Sequence, residues 1–373
     1  MPVGVDAFPL RPPMDTRLAF AATPLSGPSD SEWVQEGAPA MVDVTSAAEP
    51  VNLEPEGEAD DEPYWMPALR ALSSSVRAKF GGRERFEGPR RGIRGRRTGI
   101  EVIEVKSHQD RIAAWNALQA YDLCGGGDIV RLVKTASNMD GEQMVLPLST
   151  TDAGAVFLLT EAADGDLLEV LQKRGSASIP TATKLRILVE VLRGLRKMEA
   201  AGFIHRSVDP RNLIVDGECA SGDGCDVMLG GLAHARPYQD KAETEWFSLP
   251  GYIAPEVWAG TPNHRKADVW SVGVLAYMLF VGAMPKGLEG YGSDAVVDLR
   301  QHPLRDFVMN EFDVAVDEPL RELERKDAEV AKLIRGMLRR NVVWRPSIRR
   351  ALRKAQRIAK SRGVAVPERA DAL

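Results

Sequence analysis

Within GFIHRSVDPRNLIVD, Gly202 to Asp216, His205, Ser207, Asp209 and Asn212 fall inside a single short stretch. Of its two carboxylates, Asp209 and Asp216, Asp209 lies two residues from Ser207 and can take up a proton from an acceptor as the Ser207 hydroxyl cannot. Asn212 offers one amide oxygen to a hard cation, a weak site by itself, and reads as well as a hydrogen-bonding loop residue. His205 and Phe203 read as packing residues rather than as reacting groups. The 5 His and 3 Cys of the chain show no metal-ligand spacing, so no zinc site is expected.

The surroundings of this stretch come from a chain of 373 residues, 44% hydrophobic and 27% charged, enough for one large or two modest cores. Its net charge of −5 is uneven: residues 1–63 hold 13 Asp/Glu against Arg11 and Arg17, a balance of −11 that leaves +6 for the rest. That first segment is rich in Pro, Ala and Ser, lacks an apolar period, and is expected to be disordered. The longest apolar run, Val269 to Met284, is shorter than the ~20 residues a spanning helix needs and reads as a buried helix, so no membrane span is expected. LAFAA, Leu18 to Ala22, is too short for the core of a signal peptide.

From Tyr64 the pattern changes. GIEVIEVK, Gly99 to Lys106, alternates and is rich in β-branched residues, which predicts a strand. HQDRIAAWNALQAYDL, His108 to Leu123, predicts a helix stopped by CGGG; GAVFLLTEA predicts a buried strand with a turn at ADGD and a helix from Leu167. TATKLRILVEVLRGLRKMEAAG predicts a long amphipathic helix closed by Gly202, and the chain after residue 234 reads mainly as helix and loop. A small strand-rich part followed by a larger helical part is an α+β outline in two lobes.

With its landmarks in order, this outline resembles the protein kinase superfamily over Phe80 to Arg362. The residues that carry the likeness are VFLLTEAADGDL with Thr160 at the gatekeeper position, GFIHR, PGYIAPE (Pro250 to Glu256), KADVWSVGVLAYML and RPS at Arg345 to Ser347. The resemblance implies a bilobal fold with a lobe at about 64–161, a second at about 164–362 and a tail at 363–373. It also implies four anchors: His205 supporting the loop from the core, Asp268 at a helix start holding loop backbone donors, and Glu256 paired with Arg345.

Phosphoryl transfer in that family needs a base, metal-binding carboxylates, a lysine on the phosphates and a backbone cover, and the sequence departs from most of these. Ser207 stands at the base position and Asp209 at that of the loop lysine. Two charges at ~4 Å and an effective dielectric of ~20 would set Asp209 against a phosphate by about 4 kcal/mol. The metal-binding triplet falls on Gly231-Leu232-Ala233 or on Leu229-Gly230-Gly231, and neither contains a carboxylate. Leu249 replaces the hydroxyl residue that contacts the base. Lys106 aligns with the phosphate lysine, with Asp122 the nearest acid on the helix that follows. In place of a glycine loop stands FGGRERFEGPRRGIRGRRTG, whose 7 arginines read as an anion- or partner-binding arm or as a solvated basic loop.

The expected function is therefore a non-enzymatic pseudokinase that binds protein partners. It is expected to take no cofactor, no metal, no nucleic acid, and neither ATP nor magnesium in the usual way. Two alternatives stand beside it: an atypical kinase with Asp209 as displaced base, and a structural component of a secreted matrix. VMLGGLAHA and the degraded loops resemble more narrowly the secreted rhoptry-type kinases and pseudokinases of apicomplexan parasites, which implies a secretory organelle, vacuole or cyst wall. In that setting Cys219 and Cys225, flanking ASGDG between two strands, would close a hairpin as a disulfide; in a cytosolic protein they would be free thiols. The basic run RRALRKAQRIAKSRG reads as the exposed face of the last helix.

Overall fold

The structure of the chain is a computed structural model that describes residues 86–87, 97–105, 108–137, 154–220, 225–238, 248–260, 265–288 and 304–367. Every described residue lies within Ala59–Leu373, one compact unit. The expected disordered segment 1–63, Lys106 and nearly all of the arginine-rich stretch lie outside the described residues.

The first part is an antiparallel sheet of β1 (Phe86–Glu87), β2 (Arg97–Val105), β3 (Leu132–Ser137) and β4 (Gly154–Ala163) in the order β1-β2-β4-β3. GIEVIEVK pairs with β4 as a ladder from Ile100 to Val105, after a register shift at Gly99, with Glu101 opposite Leu158 and Ile103 opposite Val156, and Ile103, Val156 and Leu158 on it are buried. Helix α1 (His108–Cys124) follows β2 and buries Ala114, Ala117, Ala120 and Tyr121 at helical spacing. It ends where the Gly125 amide bonds the Tyr121 carbonyl, and a Cβ at Gly125 would stand 2.5 Å from that oxygen.

The strip β5 (Gly165–Asp166) leads into α2 (Leu167–Arg174), whose first turn is capped by the Asp166 carboxylate accepting from the Glu169 amide at 2.9 Å. Helix α3 (Thr181–Ala200) buries Leu185, Leu188, Leu192 and Leu195 along one stripe and stops before Gly202, whose φ of 86° suits glycine. Then come β6 (Phe203–Ile204), β7 (Leu213–Gly217), β8 (Cys225–Leu229) and β9 (Arg236–Pro237). β7 and β8 form a hairpin closed by the Cys219–Cys225 disulfide, and the outer end of β8 is tied to the first part through Val130 N donating to Leu229 O at 2.9 Å.

The short α4 (Pro255–Trp258) precedes α5 (Lys266–Val281), then α6 (Leu304–Asn310), α7 (Phe312–Lys326), α8 (Ala328–Met337) and α9 (Ile348–Ser361). The apolar run around Val269 is apolar on all sides because α5 is enclosed by its neighbours: Val269, Trp270, Val272, Val274 and Leu275 are all fully buried. At ~1.5–3 kcal/mol for each large side chain removed from water, this helix supplies much of the core's stabilisation. No helix among the described residues is long and apolar enough to cross a membrane.

Candidate functional site

The loop between β6 and β7 is shaped by two buried side chains. Asp268, in the first turn of α5, accepts the His205 amide at 3.0 Å and the Arg206 amide at 2.9 Å. Those bonds hold Arg206 at a φ of 69°, a left-handed conformation that a non-glycine residue keeps only when its surroundings fix it. His205 bonds the Gly230 carbonyl through Nε2 at 2.8 Å while its Nδ1 accepts from the Ser207 amide at 3.2 Å, which makes Nε2 the protonated nitrogen. Burial depresses the imidazole to about 4, and burial raises the Asp268 carboxyl to about 6 against the pull of its two backbone donors. His205 thus joins the loop to the end of β8.

Ser207 is buried, and the Asn212 side-chain amide donates to its carbonyl at 2.8 Å and to its hydroxyl at 2.9 Å. The Asn212 carbonyl accepts from Gly230 at 2.7 Å, and a Cβ at Gly231, whose φ is 73°, would lie 2.2 Å from Asn212 Oδ1. The Asn212 side chain therefore fills the space that a side chain at Gly231 would enter.

Asp209 is fully buried and caps the turn Pro210–Asn212 by accepting the Arg211 amide at 3.1 Å. The Arg211 guanidinium grips both oxygens, Nε to Oδ1 at 3.0 Å and Nη2 to Oδ2 at 3.1 Å. Oδ2 also accepts from the Ser248 hydroxyl and from the Leu249 amide, each at 3.3 Å. The repulsive charge expected at this point is corrected: Arg211 neutralises Asp209 within the same turn, and reading the acid without its neighbour missed this. Leu249 offers the carboxylate only its amide, and the hydroxyl there comes from Ser248, one residue earlier. Arg211 and Ser248 are the residues the sequence reading overlooked. An Asp-Pro-Arg spacing, which puts a cation back over a capping acid, was the available signal for the first.

The segment after Ser248 is fastened from behind. Glu256 in α4 meets Arg345 through paired bonds of 2.6 and 2.8 Å, both side chains buried, and Arg345 also donates to the Lys266 carbonyl at 2.8 Å. The Ser271 hydroxyl donates to the Tyr252 carbonyl at 2.8 Å. Asp122 is exposed on α1, where the buried polar side chain is Asn116. Thr160 is buried within β4, three residues before its end.

The donors do not fit a divalent cation. Both Asp209 oxygens are engaged, the Asn212 Oδ1 lies against Gly231 with no carboxylate beside it, and Leu229-Gly230-Gly231 brings no carboxylate. Among the described residues no group of three or more His, Cys, Asp or Glu is placed to hold a metal ion.

Comparison with known proteins places this geometry. A family model described as "Protein kinase domain" matches residues 101–355. The human protein named serine/threonine-protein kinase H1 is 28% identical over 243 residues, covering 60% of this chain and 53% of that protein. A calcium/calmodulin-dependent protein kinase type 1 of Macrobrachium nipponense is 26% identical over 189 residues, covering 50% and 53%. The serine/threonine-protein kinase H1 homolog of Danio rerio is 25% identical over 275 residues, covering 69% and 61%. The chain spans about half the length of the first two relatives and somewhat more of the third. These relatives are named as protein kinases, and that overturns the expectation that the chain is no enzyme. The expectation rested on the joint departures at Ser207, Asp209, Gly231, Leu249 and the glycine loop, and gave no weight to the Arg211 guanidinium and the Ser248 hydroxyl that meet the Asp209 carboxylate. The family match spans well over half of the sequence and the fold agrees with it, so the chain belongs to the protein kinase domain family.

Proposed function

We propose that the chain is an atypical protein kinase, transferring a phosphoryl group from a nucleoside triphosphate to a serine or threonine hydroxyl of a protein, with Asp209 as the base. The observation that carries this reading is the Asp209 carboxylate held by Arg211 and touched by the Ser248 hydroxyl. The Arg211 contacts at 3.0 and 3.1 Å fix the carboxylate, whereas the Ser248 and Leu249 contacts are longer, at 3.3 Å. An acceptor hydroxyl entering in place of Ser248 would meet Oδ2. Its proton passes to that oxygen as its own oxygen bonds phosphorus, and the bond from phosphorus to the leaving diphosphate breaks. The departing diphosphate carries away that electron pair. Asn212 and Asp268 keep the loop backbone in place through this step. No metal step is assigned, because the donors described do not make a metal site.

The test is transfer of labelled phosphate from ATP to a generic protein substrate and to the chain itself. Asp209→Asn is expected to reduce transfer by about 10²–10⁴-fold, and Ser207→Ala to leave it within a few-fold. Absence of transfer by the unaltered chain, or full activity in Asp209→Asn, overturns the reading. The Cys219–Cys225 bridge supports a secretory, oxidising setting, as does the resemblance to secreted rhoptry-type kinases. Alkylation of the two thiols in freshly lysed cells without prior reduction would count against it.

A further inference from the structure

We infer that the outer face of α9, with the turn before it, is a docking surface for an anionic membrane leaflet. The helix runs Ile348–Ser361 and is sharply two-sided. Ile348, Ala351, Leu352, Ala355, Ile358 and Ala359 are buried against the rest of the fold, so the helix cannot offer its apolar side to a partner. The other side exposes Arg349, Arg350, Arg353, Arg357 and Lys360. At 3.6 residues per turn these five fall within ~100° of arc and ~16 Å of length. None of the five has an ion-pair or hydrogen-bond partner for its side chain among the described residues. Their neighbour Arg362 is different, its guanidinium bonding both Asp327 oxygens at 2.6 Å.

Arg349, Arg353 and Arg357 repeat at a spacing of four, which places like charges side by side and weakens the helix that carries them. The charge continues sideways onto α8, where Lys332 is exposed. Lys354, half-buried between the two helices, is held below its ordinary value by burial and then by Lys332, with Glu329 opposing.

What separates a membrane from a soluble acidic peptide is the turn joining α8 to α9. Val343 is 73% exposed there and Trp344 68% exposed. The turn is fixed, because Lys266 Nζ donates to the Val342 and Val343 carbonyls at 2.9 and 3.0 Å and Arg345 is drawn inward to Glu256. A tryptophan and a valine held out at the head of an unpaired basic helix match the composition of a headgroup interface. There an aromatic ring sits at the boundary while arginine and lysine face anionic lipid. An acidic peptide would use the cations and leave the two apolar side chains in water.

The experiment is sedimentation of the full chain with vesicles of phosphatidylcholine and with vesicles of mixed phosphatidylcholine and phosphatidylserine. The expected result is binding to the mixed vesicles alone, falling as salt is added. A variant carrying Arg349→Glu, Arg353→Glu and Arg357→Glu should lose at least about tenfold in binding, and Trp344→Ala about fivefold. Unchanged melting temperatures in both variants keep folding out of the comparison, and the salt dependence of the unaltered chain is a second readout. Equal binding by the triple variant assigns any vesicle affinity to another segment and overturns the inference. No binding to mixed vesicles overturns it as well. Retention on heparin or a polyglutamate column without vesicle binding reassigns the face to a soluble polyanion and also overturns it.

Discussion

Arg345 and Glu256, 89 positions apart, close a two-pronged ion pair inside the protein, with Nη1 to Oε1 at 2.6 Å and Nη2 to Oε2 at 2.8 Å. Arg345 stacks over Trp270 at 5.2 Å and donates to three main-chain carbonyls, so its charge is met on every side. Removing one partner leaves the other charge buried and alone. Arg345→Leu should therefore destabilise the protein by about 3–5 kcal/mol, read as a lowered denaturant midpoint. A change below about 1 kcal/mol would mean that the pair behaves as an exposed one.

Stability should be nearly flat with pH between about 4 and 6 as far as His205 and Asp268 are concerned. His205 has its folded value depressed from 6.5 to about 4, so its contribution is present above 6.5 and lost as pH falls toward 4. Asp268 has its folded value raised from 3.8 to about 6, so its contribution is present at acid pH and lost as pH rises from 3.8 toward 6. In the shared window the folded state takes up one proton on Asp268 and gives up one on His205, and the slopes oppose. Asp268→Asn should leave stability rising with pH by roughly 1.4 kcal/mol per unit, and His205→Phe should leave it falling. Parallel pH profiles for the two variants would refute the compensation.

Gly231→Ala places a methyl 2.2 Å from Asn212 Oδ1 on a backbone at φ 73°. The left-handed strain and the loss of the Asn212 bonds to Ser207 should together destabilise by about 2–4 kcal/mol. In a double-mutant cycle, Asn212→Ala should recover part of that loss. Strict additivity would show that the two positions do not compete for one space.

The Cys219–Cys225 bridge spans a separation of 6 residues, so its effect on the unfolded chain is modest. Replacing both cysteines with serine should lower stability by about 2 kcal/mol. Dithiothreitol should lower the melting temperature of the unaltered chain and leave that of the double variant in place.

The sequence shows the local pattern well. The alternation of GIEVIEVK and the period of TATKLRILVEVLRGLRKMEAAG place β2 and α3 to within two residues of their observed ends, because burial of one face dictates each pattern. The environment of Asp209 was not legible, because it depends on Ser248, 39 positions away, and on a guanidinium turning back within a single turn. Each residue read against a fixed pattern looked like a loss, at Ser207 and again at Leu249. The acid at 209 and the hydroxyl at 248 are brought together only in three dimensions.

The first turns of α5 receive the β6–β7 loop through Asp268, the Tyr252 carbonyl through Ser271, and the α8–α9 turn through the Lys266 amine and carbonyl. Three separate stretches of chain thus end on the first two turns of one helix. None of them can detach without exposing a donor or acceptor that the others help to shield. Amide hydrogens of the loop at 205–206 and of α5 should therefore exchange with solvent at a common rate, as one cooperative unit set by complete unfolding rather than by local fraying.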